Sequence, residues 1–70
     1  MNDHILVNTM KVQRAKKDLT QEQLAELVGV TRKTINSIER GHFVPSTVLA
    51  LKIARIFEVP LEEVFYLGTP

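Results

Sequence analysis

Apolar residues recur along this chain in short groups spaced three and four apart, each with a capping residue ahead and a breaker behind. Leu24, Leu27 and Val28, with Ala25 beside them, mark one buried face of a helix. Thr20 precedes that helix and Gln23 stands three residues further on, the pattern of a capping box. Gly29 ends it, because a residue without Cβ enters the left-handed region cheaply. Thr31 caps the next helix, in which Ile35 and Ile38 face inward while Arg32, Lys33, Asn36 and Ser37 face out, and Gly41 closes it. After Pro45 and Ser46, residues Ala50, Ile53, Ala54 and Phe57 sit at i, i+3, i+4 and i+7, flanked by Leu49 and Ile56. This is the most apolar helix and the expected centre of the core.

A last short helix is predicted after Pro60, with Glu62 and Glu63 suited to its positive end and Leu61, Val64 and Phe65 on one side. The first helix, about Thr9 to Lys17, has Met10, Val12 and Ala15 but no clean stripe. Two flanks, His4 to Asn8 and Val64 to Thr69, are rich in β-branched or aromatic residues and suit short strands, which need helices or another subunit to pack on. There is no internal repeat or low-complexity tract.

Seventy residues are expected to form one domain over residues 1–70, near the lower size limit for a single unaided core. With no Cys there is no disulfide framework and no thiolate metal site. No apolar run approaches the ~20 residues of a membrane span, so the expected setting is the cytoplasm. His4 and His42 have no cluster of ligating neighbours in sequence, and neither a Cys nucleophile nor a Gly-rich phosphate loop is present. The expectation is a protein without metal, cofactor or enzymatic activity.

The net charge of +1 hides a polarity. Lys11, Arg14, Lys16 and Lys17 form one basic stretch, Arg32, Lys33 and Arg40 another, and the chain turns acidic at Glu58, Glu62 and Glu63. Such a chain can present a basic face to nucleic acid, although solvated surface charge looks the same. Phe43, after the second basic stretch, reads as either an exposed aromatic or a loop anchor. Arg32 and Lys33 stand at the positive end of a helix dipole, where they are unfavourable by a few tenths of a kcal/mol each. A helix, a tight turn and a second helix with polar residues crowded at its start describe a helix-turn-helix, whose second helix enters the major groove N-terminus first. Arg or Lys there suits guanine O6 and N7.

The residues "LTQEQLAELVGVTRKTINSIERG", Leu19 to Gly41, closely resemble the Cro/repressor-like helix-turn-helix family of prokaryotic regulators. The likeness continues through "PSTVLALKIARIFEVPLEEVFYL", Pro45 to Leu67, and with "MKVQRAKKDLTQ" covers nearly the whole chain. It implies a mainly α, five-helix, lambda-repressor-like DNA-binding domain of a compact subgroup, with a small two-stranded antiparallel sheet formed by the chain ends.

The resemblance implies base contacts from Arg32, Lys33, Thr34 and Ser37, and phosphate contacts from Gln21, which also braces the recognition helix, and from Arg40. His42 and Lys17 are further candidates at the phosphate fringe, and Asn36 reads as surface. Arg14 and Glu39 match a structural ion pair between the first and third helices. The family usually has Gly where Asp18 stands and often where Glu58 stands, so the backbone there is either strained or different; Pro60 replaces a common Ser or Thr cap.

Leu61, Val64, Phe65, Tyr66 and Leu67 are either core or dimer surface, and so many large residues at the end of so short a chain favour a homodimer. The expected function is a homodimeric, sequence-specific regulator of double-stranded DNA, a repressor because there is little chain for an activating or sensing domain. The alternative is an antitoxin that binds a toxin protein and autoregulates; a structural adaptor without DNA binding is disfavoured by the basic helix start.

Overall fold

A computed structural model describes residues 4–69 as five helices and one small sheet. In chain order these are β1 (Ile5–Asn8), α1 (Met10–Lys16), α2 (Gln21–Val28), α3 (Arg32–Glu39), α4 (Thr47–Phe57), α5 (Leu61–Val64) and β2 (Phe65–Gly68). The mainly helical architecture with a sheet closed by the chain ends is the one the resemblance implies. Among the described residues no helix is long and apolar enough to cross a membrane.

Local signals set most boundaries. Thr20 Oγ1 accepts from the Gln23 N–H at 3.0 Å while Gln23 Oε1 accepts from the Thr20 N–H at 2.9 Å, completing the capping box of α2. Thr31 and Ser46 cap α3 and α4 through the N–H groups of Thr34 and Leu49. Pro60, with no side-chain oxygen, makes no cap hydrogen bond at α5.

The first four helices end in one shared motif. Behind α2, the Val30 N–H reaches the Ala25 carbonyl at 2.9 Å; behind α3, the His42 N–H reaches that of Ser37 at 2.9 Å. The same closure joins Leu19 to Arg14 behind α1 and Val59 to Ala54 behind α4. Each needs a left-handed residue: Asp18 at φ 54°, Gly29 at 79°, Gly41 at 78° and Glu58 at 60°. The backbone at Asp18 and Glu58 therefore keeps the glycine conformation without glycine. An L-residue there costs ~1–2 kcal/mol, least for Asp, and an acidic charge also opposes the dipole at the end of α1. Asp18→Gly is expected to stabilise the fold by about 0.5 kcal/mol after glycine's extra unfolded-state entropy, raising Tm by ~2–4 °C. A lowered Tm in a thermal melt would contradict this.

Lys17 and Glu58 pair at 2.5 Å, joining the ends of α1 and α4. The lysine's hydrogen bond, and then its charge, hold the Glu58 carboxyl below its ordinary pKa. Both side chains are exposed, so the pair adds little stability.

The core gathers one face from every helix: Met10, Leu24, Ala25, Val28, Ile35, Ile38, Ile53, Phe57 and Val64 lie at its centre. Two expectations need correction. Leu27 is 56% exposed. At 100° per residue the buried direction of α2 lies between Leu24, Ala25 and Val28, and Leu27 points about 105° away from it. Val64 and Phe65 are buried within the chain itself, at 0% and 8% exposure, so they are core and not dimer surface. The turn from α5 into β2 directs them inward, against what the apolar run alone suggests.

The sheet is antiparallel, pairing Asn8 with Phe65, Val7 with Tyr66, Leu6 with Leu67 and Ile5 with Gly68. Residues opposite one another share a face, so Leu6, Asn8, Phe65 and Leu67 lie on one side and Ile5, Val7, Tyr66 and Gly68 on the other. Asn8 Nδ2 donates to the carbonyls of Ile38 at 3.1 Å and Glu39 at 3.4 Å, while its Oδ1 accepts from the Met10 N–H at 3.1 Å. One side chain thus ties the sheet to the end of α3 and the start of α1.

Candidate nucleic-acid interface

The left-handed turn at Gly29 lets α3 follow α2 after only three residues, with Val30 partly buried against the core. Ile35 and Ile38 anchor α3 at 0% and 2% exposure. Their burial fixes the opposite face: Arg32 and Lys33 are exposed, and Thr34 and Ser37 are half-buried at its edge. Lys33 and Ser37, one turn apart, share a stripe. The Thr34 hydroxyl lies 3.1 Å from that of Thr31, so it is engaged locally at the cap.

Behind this face a polar network braces the helix. Arg14 Nε donates to Glu39 Oε2 at 2.5 Å and Arg14 Nη2 to Oε1 at 3.0 Å, a two-pronged pair in which the side chains are 14% and 8% exposed. Arg14 Nη1 also donates to the Leu19 carbonyl at 2.9 Å. The hydrogen bond it donates to Glu39 raises the Arg14 pKa above its ordinary value, against the opposing effect of burial. Glu39 Oε1 accepts a further bond from Gln21 Nε2 at 3.1 Å, and the same amide nitrogen donates to Asn36 Oδ1 at 3.1 Å. Gln21 Oε1 then accepts from Arg32 Nη1 at 3.3 Å. Both amide hydrogens of Gln21 are engaged within the protein, and its oxygen faces Arg32. In this arrangement its side chain braces α3 and has no donor left for a phosphate.

Asn36 is half-buried and part of that network, not free surface. Nothing in the amino-acid pattern marks it beyond its place one turn before the end of α3. The helix exit divides the remaining candidates. Lys33, Thr34, Ser37, His42 and Phe43 line one shallow cleft. Arg40 lines a second, with His4, Ile5, Leu6, Asn8 and Phe65, and Phe43 borders both. Lys17 is not joined to this cluster; its ammonium is engaged by Glu58. Among the described residues no group of three His, Cys, Asp or Glu side chains is arranged to hold a metal ion.

Comparisons with known proteins agree with this geometry. The profile of a family described as helix-turn-helix matches residues 10–64. A Bacillus subtilis protein described as an uncharacterized HTH-type transcriptional regulator, YgzD, is 50% identical over 60 residues, covering 86% of this chain and 91% of its own. Among solved structures, a Bacteroides fragilis protein superposes with a TM-score of 0.80 at 27% identity, over 89% of this chain and 100% of that one. The restriction-modification controller protein C.AhdI of Aeromonas hydrophila superposes with a TM-score of 0.71 at 35% identity, over 77% and 82% of the two chains. Fold and relatives alike are those of non-enzymatic regulators. From α2 through its glycine turn to the braced α3, and from the sequence on either side of them, this chain belongs to the Cro/repressor-like helix-turn-helix family of transcriptional regulators.

Proposed function

We propose that this chain, as one domain, is a cytoplasmic, sequence-specific repressor that binds a palindromic operator as a homodimer. The outward face of α3 carries the reading: Arg32 and Lys33 stand exposed, with Thr34 and Ser37 half-buried at its edge, on a helix anchored by Ile35 and Ile38, with cations where the helix dipole disfavours them. Those four residues meet base edges; Arg40 and His42, at the exit of α3, meet phosphates. Gln21 acts mainly by holding Arg32. A protein seated in the major groove over a promoter represses by occupancy alone.

Dimerisation uses the apolar cleft between α4, α5 and β2, where Leu61, Tyr66 and Leu67 line the opening together with Leu6 and Val44. Tyr66 is 47% and Leu67 68% exposed, a large apolar surface for one protomer. A two-fold axis through this surface sets two recognition helices about 34 Å apart, one turn of the duplex.

Selection of bound sequences from a random pool tests the reading. A palindromic motif, with affinity falling steeply as salt rises, is expected; no enriched motif and no salt dependence would end it. Leu67→Glu is expected to halve the mass in sedimentation and to weaken palindrome binding by about 10²-fold through lost bivalency, with a lower melting temperature that no longer depends on protein concentration. Co-purification with a second small protein from the native host would support the antitoxin reading instead.

A further inference from the structure

The ring of Phe43 has no role in the core or in the bracing network. It is 49% exposed, although the chain around it is ordered by good local bonds: Gly41 turns left-handed, the Gly41 N–H meets the Ile38 carbonyl at 3.0 Å and the His42 N–H meets that of Ser37 at 2.9 Å. This closure folds the chain back beside the last turn of α3. It brings Phe43 into the cleft of Lys33, Thr34, Ser37 and His42. Phe43 also borders the neighbouring cleft beside the sheet, where Ile5, Leu6, Ile38, Val44 and Phe65 stand together with His4, Asn8 and Arg40. It therefore stands where the cleft beside the sheet meets the polar side chains proposed to read DNA.

The four other residues of the reading cleft supply an ammonium, two hydroxyls and an imidazole, all suited to hydrogen-bonding base edges or phosphates. Phe43 supplies its one large apolar surface. In the major groove the one apolar group on the base edges is the thymine 5-methyl, and an aromatic side chain is among its partners. We propose that Phe43 is a specificity-determining residue that packs against the 5-methyl group of a thymine next to the bases met by Lys33 and Ser37. The inference rests on the DNA-reading function proposed above and adds a residue and a base to it. The geometry makes the contact selective: the recognition helix sets the depth of entry, and the Gly41 closure sets the distance of Phe43 from it.

Replacing the operator's thymines one at a time by deoxyuridine removes the methyl and leaves pairing and charge intact, so it isolates this contact. The operator is first obtained with the wild-type protein from the random-sequence selection. Wild-type protein is expected to lose about threefold to tenfold in affinity at one thymine in each half-site. Phe43→Ala is expected to bind the thymine and uracil operators equally, at about the level of wild type on uracil, with an unchanged melting temperature because the ring is not core. A repeat selection with Phe43→Ala should relax the preference at that position alone. If wild type discriminates at no thymine, or if Phe43→Ala keeps the discrimination, the inference is overturned while base reading by α3 stands. Loss of affinity in Phe43→Ala without thymine discrimination in wild type also overturns it, since it assigns the ring to the sugar-phosphate backbone. If the wild-type selection yields no motif, base reading itself fails and takes this inference with it.

Discussion

Glu39→Ala is expected to lower the stability of the fold by about 3 kcal/mol or more, and Tm by roughly 15 °C. The carboxylate is the hub of the polar network, accepting from Arg14 through two bonds and from Gln21 through a third. Removing it strands the Arg14 guanidinium, whose side chain is 14% exposed, with the Leu19 carbonyl as its remaining partner. An uncompensated buried charge costs ~3–5 kcal/mol. For 70 residues at ~0.05–0.15 kcal/mol each, total stability is roughly 4–10 kcal/mol, so this one substitution removes from about a third to about three quarters of it. Denaturant titration gives the size of the loss. A double variant, Arg14→Met with Glu39→Met, is expected to recover much of it, because two apolar side chains leave no charge to satisfy. Simple additivity of the two single losses would show instead that the pair is energetically uncoupled.

Lys33→Ala is expected to act in the opposite way, leaving the fold intact and weakening operator binding by about 10- to 100-fold. Lys33 is exposed, lies in the cleft with Thr34 and Ser37, and occupies the positive end of α3. Its removal should even stabilise the helix by a few tenths of a kcal/mol. Arg32 differs because the Gln21 oxygen already holds it, so Arg32→Ala removes an oriented guanidinium and leaves the Gln21 oxygen without that donor. The two effects are expected to be of similar size and close to additive. Binding titrations across a salt series separate the two kinds of interaction. Removing a cation that meets phosphate lowers the salt slope by about one and weakens all sequences alike, whereas removing a side chain that reads a base relaxes preference at one position. Unchanged affinity in both variants would leave α3 without its proposed role.

Much of this is readable before any tertiary structure, and the reason is range. The capping box of Thr20 and Gln23, the Gly29 turn and the Thr31 cap are bonds between residues at most five apart, so side-chain chemistry and spacing suffice to place α2 and α3. The apolar stripe of α4 is equally plain, since Leu49, Ala50, Ile53, Ala54 and Phe57 are all buried. The first helix is obscure for an equally physical reason. Its inner face is Met10 and Gln13, a glutamine standing where an apolar residue would complete the stripe, while Val12 faces out at 56% exposure. Gln13 remains satisfied because its Nε2 donates to Thr9 Oγ1 at 3.3 Å.

The candidate site divides along the same line. Which residues lie on the outer face of α3 follows from the inward pull of Ile35 and Ile38, one periodic pattern within eight residues. What those residues touch does not. Asn36 joins Gln21 across 15 positions, Asn8 reaches Ile38 across 30, and Lys17 turns to Glu58 across 41.

The amino-acid sequence by itself determined the helices, their caps, the turn between α2 and α3 and the family, all carried by interactions within a few residues. Tertiary structure alone decided that Leu27 faces out, that Val64 and Phe65 belong to the core, and that Phe43 shares a cleft with Lys33, Thr34 and Ser37. Periodicity fixes which residues share a face, but only the direction from which neighbouring elements pack decides which face is buried.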